Sequence, residues 1–333
     1  MIEVYRNFEL VTMNPVYTEF VWRRRFSKAG EFQLITGFTR EKLDTFAIGN
    51  IIYKRDVDEA AFVESRNVIQ SIEGELMLIV RGRFLPSLLE RRIVTFTGNT
   101  NLQALLNSLV NNNFLGGAGT LRSMAPLVRL LPYTLPAVNV QAEYKQRNAY
   151  EAISSLLEEN RTGVRTNYNL EAQAFDISFY TPVETDVVFS KEFANIVEQD
   201  FMDDNGRYKN VVYVEDQYIH NNSTFKGLER REIAVSAPRQ GSATLQQTAI
   251  DALNENKALR TLSSVVNPLS KQFEYLKDWN IGSVVLSENR ILGYSEREVI
   301  TEITEFYDET GLNLEVNLGD YIERGGLNVN NNR

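Results

Sequence analysis

The side chains able to carry acid–base or covalent chemistry are few in kind. The 333 residues hold one histidine, His220, no cysteine, and 44 aspartates plus glutamates. Without cysteine there is no thiolate nucleophile, no disulfide and no cysteine-containing zinc site, and a lone imidazole supplies no histidine pair for a metal. No cofactor and no metal are expected. His220 sits in Tyr218-Ile219-His220-Asn221-Asn222, beside a polar turn. A serine hydrolase would need a serine placed against it, and no G-x-S-x-G elbow nominates one; a surface or hydrogen-bonded histidine is the expectation. Paired carboxylates remain, because a glycosidase needs only two acids about 5–10 Å apart across a cleft. Glu158-Glu159 and Asp203-Asp204 are adjacent pairs. Neighbours in sequence read more simply as a solvated helix end and the approach to a turn. A cell-wall or polysaccharide hydrolase using these acids is therefore the alternative reading, not the first.

Two other motifs bear on phosphate. Gly116-Gly117-Ala118-Gly119 is followed by Thr120-Leu121-Arg122, without the Gly-Lys-Ser/Thr ending of a phosphate loop, so a flexible loop is expected. Arg23-Arg24-Arg25 and Arg91-Arg92 are basic, but successive residues of a strand face opposite sides. Neither run lays down a phosphate-binding stripe, and carboxylates on a neighbouring domain or subunit are the expected partners. The whole chain, with 35 Lys plus Arg, carries a formal charge of -9, which repels nucleic acid and anionic membranes at long range. The start, Met1-Ile2-Glu3-Val4-Tyr5-Arg6, lacks the basic and apolar regions of a secretion signal. No apolar run approaches the roughly 20 residues of a membrane span, so synthesis in the cytoplasm is expected.

The elements that position these residues are mostly strands. Ile2, Val4, Phe8 and Leu10 alternate, as do Phe20, Trp22 and Phe26 around the arginine run; Gly30 marks a turn before Phe32 and Leu34. Ile48–Tyr53 is a strand, and Phe62–Ile72 with Leu76–Val80 reads as a hairpin about Gly74. The run Leu76–Val80 is apolar on both faces, which places it inside a barrel or between layers. Beyond Gly98, Leu102, Leu105, Leu106, Leu109 and Val110 fall at helical spacing after a Thr100–Gln103 capping box. Asn148 and Glu151 repeat that cap before a second helix, and strands Val164–Tyr168 and Ala174–Tyr180 close an α/β segment. The remainder is β-rich, with strands at Val187–Phe189, Asn210–Val214, Arg231–Val235 and Trp279–Leu286. A helical insertion is expected at about 242–265, carrying Leu245, Ala249, Ala252 and Leu253 on one face. Glu298–Tyr307 fits a helix or a strand; its β-branched residues and the alternating Leu312–Leu318 beyond Gly311 favour a hairpin. At this length two or three domains are expected: residues 1–98, 99–182 and 183–333.

Together, several short motifs in this order resemble a known family. They are Trp22-Arg23-Arg24-Arg25-Phe26, Gly30-Glu31-Phe32-Gln33-Leu34, Val80-Arg81-Gly82-Arg83-Phe84, Leu88-Leu89-Glu90-Arg91-Arg92-Ile93, Tyr208-Lys209-Asn210-Val211 and Arg230-Arg231-Glu232. Their succession is similar to that of tail proteins of long-tailed bacteriophages and prophages, which form the baseplate or tail-tip hub and resemble the N-terminal, structural part of tail-associated lysins. The resemblance implies a mainly β, α+β chain with two tail-tube-like β-barrel domains around an intervening α/β domain. It implies a homotrimer whose six barrels match a sixfold tube to a threefold tip. The implied partners are a distal tail protein or the tail tube, tip fibre or receptor-binding proteins, a tape measure protein, and DNA that slides through the lumen without specific binding. The implied location is the virion tail. Nothing after Asp320 is long enough for an added wall-degrading domain, so no enzymatic activity is expected. Trp22, Arg24, Phe32, Arg83 and Arg92 are the positions expected to set the architecture or its interfaces.

Overall fold

Strand alternation at the N-terminus produces a sheet that encloses its own apolar face. The computed structural model describes residues 1–70, 74–237, 244–267, 270–291 and 293–319. Its first part comprises β1 (Ile2–Arg6), β2 (Glu9–Met13), β3 (Glu19–Arg25), β4 (Glu31–Gly37), the short helix α1 (Arg40–Thr45), β5 (Ile51–Lys54), β6 (Glu59–Gln70) and β7 (Leu76–Phe84). They pair in the order β3-β4-β7-β6-β5-β1-β2. Val4, Trp22, Leu34, Ile52, Val63 and Val80, from successive strands, meet in one buried cluster, which requires the sheet to curl around them. Two glycines in and beside this sheet are needed for close contact. A Cβ on Gly82 would lie 1.7 Å from the Phe62 carbonyl oxygen, and one on Gly30 2.2 Å from that of Arg23. Gly30 also closes the link between antiparallel β3 and β4, where a turn was expected.

The middle of the chain contains β8 (Ile93–Asn101), α2 (Leu102–Phe114), β9 (Val128–Leu130), β10 (Asn139–Asn148), α3 (Ala149–Glu159), β11 (Gly163–Asn169) and β12 (Ala174–Tyr180). The apolar stripes of α2 and α3 pack with Val164, Ile177 and Phe179 against Tyr5, Ile51, Tyr53 and Phe62, on the outer side of the first sheet. Each fully buried large side chain of this kind contributes roughly 1.5–3 kcal/mol. The cap of α2 is Asn101, whose Oδ1 accepts from the amides of Gln103 and Ala104. The expected Thr100 cap is displaced because β8 runs on through Asn101, paired with Asn139, so the helix starts only at Leu102, and asparagine is at least as good an N-cap. Asn148 caps α3 as expected.

The last part comprises β13 (Val183–Phe189), β14 (Ile196–Asp204), β15 (Val211–Val214), β16 (Tyr218–His220), β17 (Glu232–Val235), α4 (Leu245–Glu255), β18 (Leu259–Val266), β19 (Ser283–Asn289), β20 (Tyr294–Asp308) and β21 (Gly311–Gly319). Segment 294–308 is a strand, hairpinned to β21 with Gly311 at φ 111°. The expected helix over about 242–265 is shorter: it ends at Glu255, and Leu259–Val266 is a strand between β14 and β21. Two flanking strands satisfy backbone groups that a longer helix would have satisfied internally, so tertiary pairing overrides the apolar spacing. Residues 242 and 243 lie outside the described residues. Between β14 and β18 the chain folds a small module in which α4 covers β16-β15-β17 through Val212, Val214, Ala249 and Ala252.

The described strand pairings close no barrel ring. The chain's two ends instead share one 13-stranded sheet, joined where β3 pairs antiparallel with β20. The architecture is mainly β. The apolar run at 76–80 is buried at Leu78, Ile79 and Val80, while Leu76 is 46% exposed near the hairpin end.

Candidate functional site

The β3–β20 seam gathers the arginine run, and register explains how. Opposite residues of an antiparallel pair share a face, and Trp22 faces Glu305, Arg24 faces Ile303, and Arg25 faces Glu302. Arg23 and Arg25 therefore lie on one side of the sheet and Arg24 on the other, as strand periodicity predicts.

On one side Arg24, 2% exposed, makes a forked pair with Glu59 of β6 at 2.8 and 2.7 Å. The same guanidinium donates to Tyr275 Oη at 2.7 Å and Asn280 Oδ1 at 2.6 Å. Tyr275 donates onward to Glu305 at 2.8 Å, and Lys54 pairs with Glu305 at 2.8 Å. Tyr307 also donates to Glu305. Burial alone would lower the pKa of Arg24, but Glu59, Tyr275 and Glu305 hold it well above its ordinary value. Burial raises that of Tyr275 and Glu305 adds to it, so the phenol stays a donor. On the other side Glu31 bridges Arg23 and Arg25 at 2.7 and 2.8 Å. Buried Glu302 takes Arg25 at 2.9 Å and the Asn317 amide at 2.9 Å.

Formal charges balance on each side: Arg24, Lys54 and the Met1 ammonium against Glu59, Glu305 and Asp56, which pairs with both Lys54 and that ammonium, and Arg23 and Arg25 against Glu31 and Glu302. Buried charge that is paired and hydrogen-bonded is tolerated, whereas a register slip would strand it unpaired. The arrangement fixes the register between the chain's two ends. Sequence reasoning missed Lys54, Glu59, Tyr275, Asn280, Glu302 and Glu305. The one local signal was the charge of Glu302 and Glu305 inside Ile300–Phe306, whose other residues are isoleucine, threonine and phenylalanine, types that favour a strand.

The residues singled out from sequence are distributed as follows. Trp22 and Phe32 are core; the Trp22 ring lies 4.2 Å from Phe84 and its Nε1 donates to Glu59 at 3.3 Å. Arg24 is in the seam. Arg83 lies near the surface, donating to Glu64 at 2.8 Å and to Glu90 at 2.9 Å. Arg92 donates to the Arg122 carbonyl at 3.1 and 2.8 Å, tying the residue just before β8 to the loop after α2. The structure thus brings Trp22, Arg24 and Phe32 into one region and leaves Arg83 and Arg92 apart. Among the acids, Glu158 pairs with Lys28 at 2.9 Å, and Asp204 accepts from the Gly206 amide at 2.7 Å. Burial raises the pKa of Glu159, with Asp251 adding, while Asn254 donates to it at 2.8 Å. His220 Nδ1 lies 3.1 Å from Tyr218 Oη. Gly116–Ala118 forms a short 3₁₀ turn. Among the described residues no cluster of three or more His, Asp or Glu could hold a metal, and no helix is long and apolar enough to cross a membrane.

Residues 4–320 match the family described as Siphovirus ReqiPepy6 Gp37-like protein. The chain belongs to that family. No curated protein matches it in sequence. Among solved structures, a prophage MuSo2 43 kDa tail protein from Shewanella oneidensis is 12% identical, with TM-score 0.54 over 95% of each chain. A tail protein from Neisseria meningitidis is 13% identical, with TM-score 0.55 over 96% of each chain. The prophage tail protein gp18 of Listeria monocytogenes is 15% identical, with TM-score 0.54 over 97% of this chain and 95% of that one. At such identities the likeness is one of fold. The kinship with phage tail proteins implied by the motifs is met by this Gp37-like member.

Proposed function

We propose that the protein is a structural component of a phage tail, a homotrimeric baseplate or tail-tip hub that joins the sixfold tail tube to the threefold tip and lets DNA pass. The observation that carries this is the β3–β20 seam. It welds two β-rich units, each with its own buried cluster, into one sheet within a single chain. Three chains would then offer six such units around an axis, the match a sixfold neighbour requires. In this reading residues 1–98 and 183–333 are the tube-like units and 99–182 the intervening domain. Distal tail or tube protein, tape measure protein and tip fibres are the neighbours, and the virion tail is the location. Arg83 and Arg92 are the sequence-nominated arginines near enough to the surface to meet them.

The protein works without catalysis in this reading. Of the acids a hydrolase would use, Glu158 and Asp204 are engaged in a salt bridge and a turn. Light scattering on the purified chain should give three times 38.1 kDa, and electron microscopy of intact tails should place it at the distal end. A strictly monomeric species that electron microscopy does not find in the tail would overturn the reading. Clearing of a cell-wall zymogram, abolished by Glu158→Gln or Asp204→Asn, would favour the hydrolase.

A further inference from the structure

A cleft of about 280 Å³ opens where the end of β3, the end of α3, the segment after α4 and the β20–β21 hairpin meet. Arg25, Lys28, Arg161 and Lys257 line it against Glu158 and Glu298, a local excess of positive charge in a chain of formal charge -9. Much of that charge is answered nearby. Lys28 pairs with Glu158, and Arg25 with Glu31 and Glu302. Arg161 differs: among the described residues no carboxylate is paired with it. Its backbone is left-handed, at φ 45°, just past the end of α3. Glycine takes that conformation without strain and is the usual residue there. What arginine adds is a guanidinium at the cleft, besides a cation near the helix C-terminus.

We propose that the cleft is a binding site for an acidic peptide segment of a partner protein, with one carboxylate side chain seated against Arg161 in the field of Lys257. A single cation that no described carboxylate answers suits a monoanion, and the carboxylates of Glu158 and Glu298 in the wall disfavour a multiply charged phosphate. Val299, also in the lining and partly exposed, gives the methylenes of a glutamate an apolar surface, which a bare inorganic anion would not use. This site does not depend on how many copies assemble.

The test is amide-resolved NMR titration of the full chain with a short peptide, acetyl-Gly-Glu-Phe-Gly-amide, and with its Gln counterpart. Saturable shifts at Ser27, Thr301 and Gly319 are expected with the Glu peptide and not with the Gln peptide. Arg161→Gly should weaken binding at least tenfold, because a charge-assisted hydrogen bond is lost, while thermal stability holds or rises. Arg161→Lys should weaken it less, since charge is kept and the fork is lost. Equal response to both peptides, unchanged affinity in Arg161→Gly, or a fall in its melting temperature that marks the arginine as a helix-end device would each overturn the proposal. Inorganic phosphate moving the same amides with higher affinity than the peptide would overturn the carboxylate assignment.

Discussion

Replacing Arg24 with methionine isolates the seam. The substitution keeps the apolar stem but removes the guanidinium from between Glu59, Tyr275 and Asn280, all within 2.6–2.8 Å. Leaving one partner of a buried pair uncompensated costs about 3–5 kcal/mol. Glu59 retains 19% side-chain exposure, so water can reach it, and the lower end, about 3 kcal/mol, applies. For a chain of this size each kcal/mol moves the melting temperature by about 2 °C, giving a fall of roughly 6 °C by calorimetry. The double variant Arg24→Met with Glu59→Met removes both charges and should recover part of that loss, a coupling of about 2 kcal/mol. Arg83→Met is the contrast. Arg83 and its partners Glu64 and Glu90 are each more than a third exposed, and such pairs contribute about 0–1 kcal/mol each, so its melting temperature should move by no more than about 4 °C. If Arg24→Met shifted the transition by less than about 2 °C, or the double variant lost the sum of the singles, the seam would not hold register through buried charge.

Two further outcomes follow from geometry elsewhere. Gly82→Ala drives a methyl to 1.7 Å from the Phe62 carbonyl and 2.8 Å from the Phe32 ring, an overpacking that should cost about 3 kcal/mol or more by urea titration; Gly37→Ala, with nothing within 4 Å, should be near neutral in the same assay. Arg55 donates to both oxygens of Glu3 at 2.8 Å, which holds its pKa below the ordinary 4.5. With the folded value depressed, that contribution is complete above about pH 4.5 and is lost as pH falls through the folded value. Glu3→Gln should accordingly flatten the acid limb of a stability–pH curve, and an unchanged slope below pH 4.5 would show that Glu3 carries none of it.

Much of the local structure was legible because it reflects local regularities. Alternation identified β3, β4 and β21, since each has one face that must be buried, and spaced leucines identified α2. The end of α4 was not legible. Nothing within residues 256–266 announces that two strands, β14 and β21, wait on either side, and the apolar spacing there fits helix as well as strand. The cap at Asn101 was missed by one residue because pairing with β10 extends the strand through Asn101 and delays the helix to Leu102.

By itself the chain determined that Arg24 must face away from Arg23 and Arg25, because a two-residue period is a property of any extended L-peptide backbone. Which of the 44 acids would answer them was decided only by tertiary register. Glu302 reaches Arg25 from 277 positions away. No local regularity spans such a distance, and the match is made only when two distant sheet edges meet with every buried charge paired.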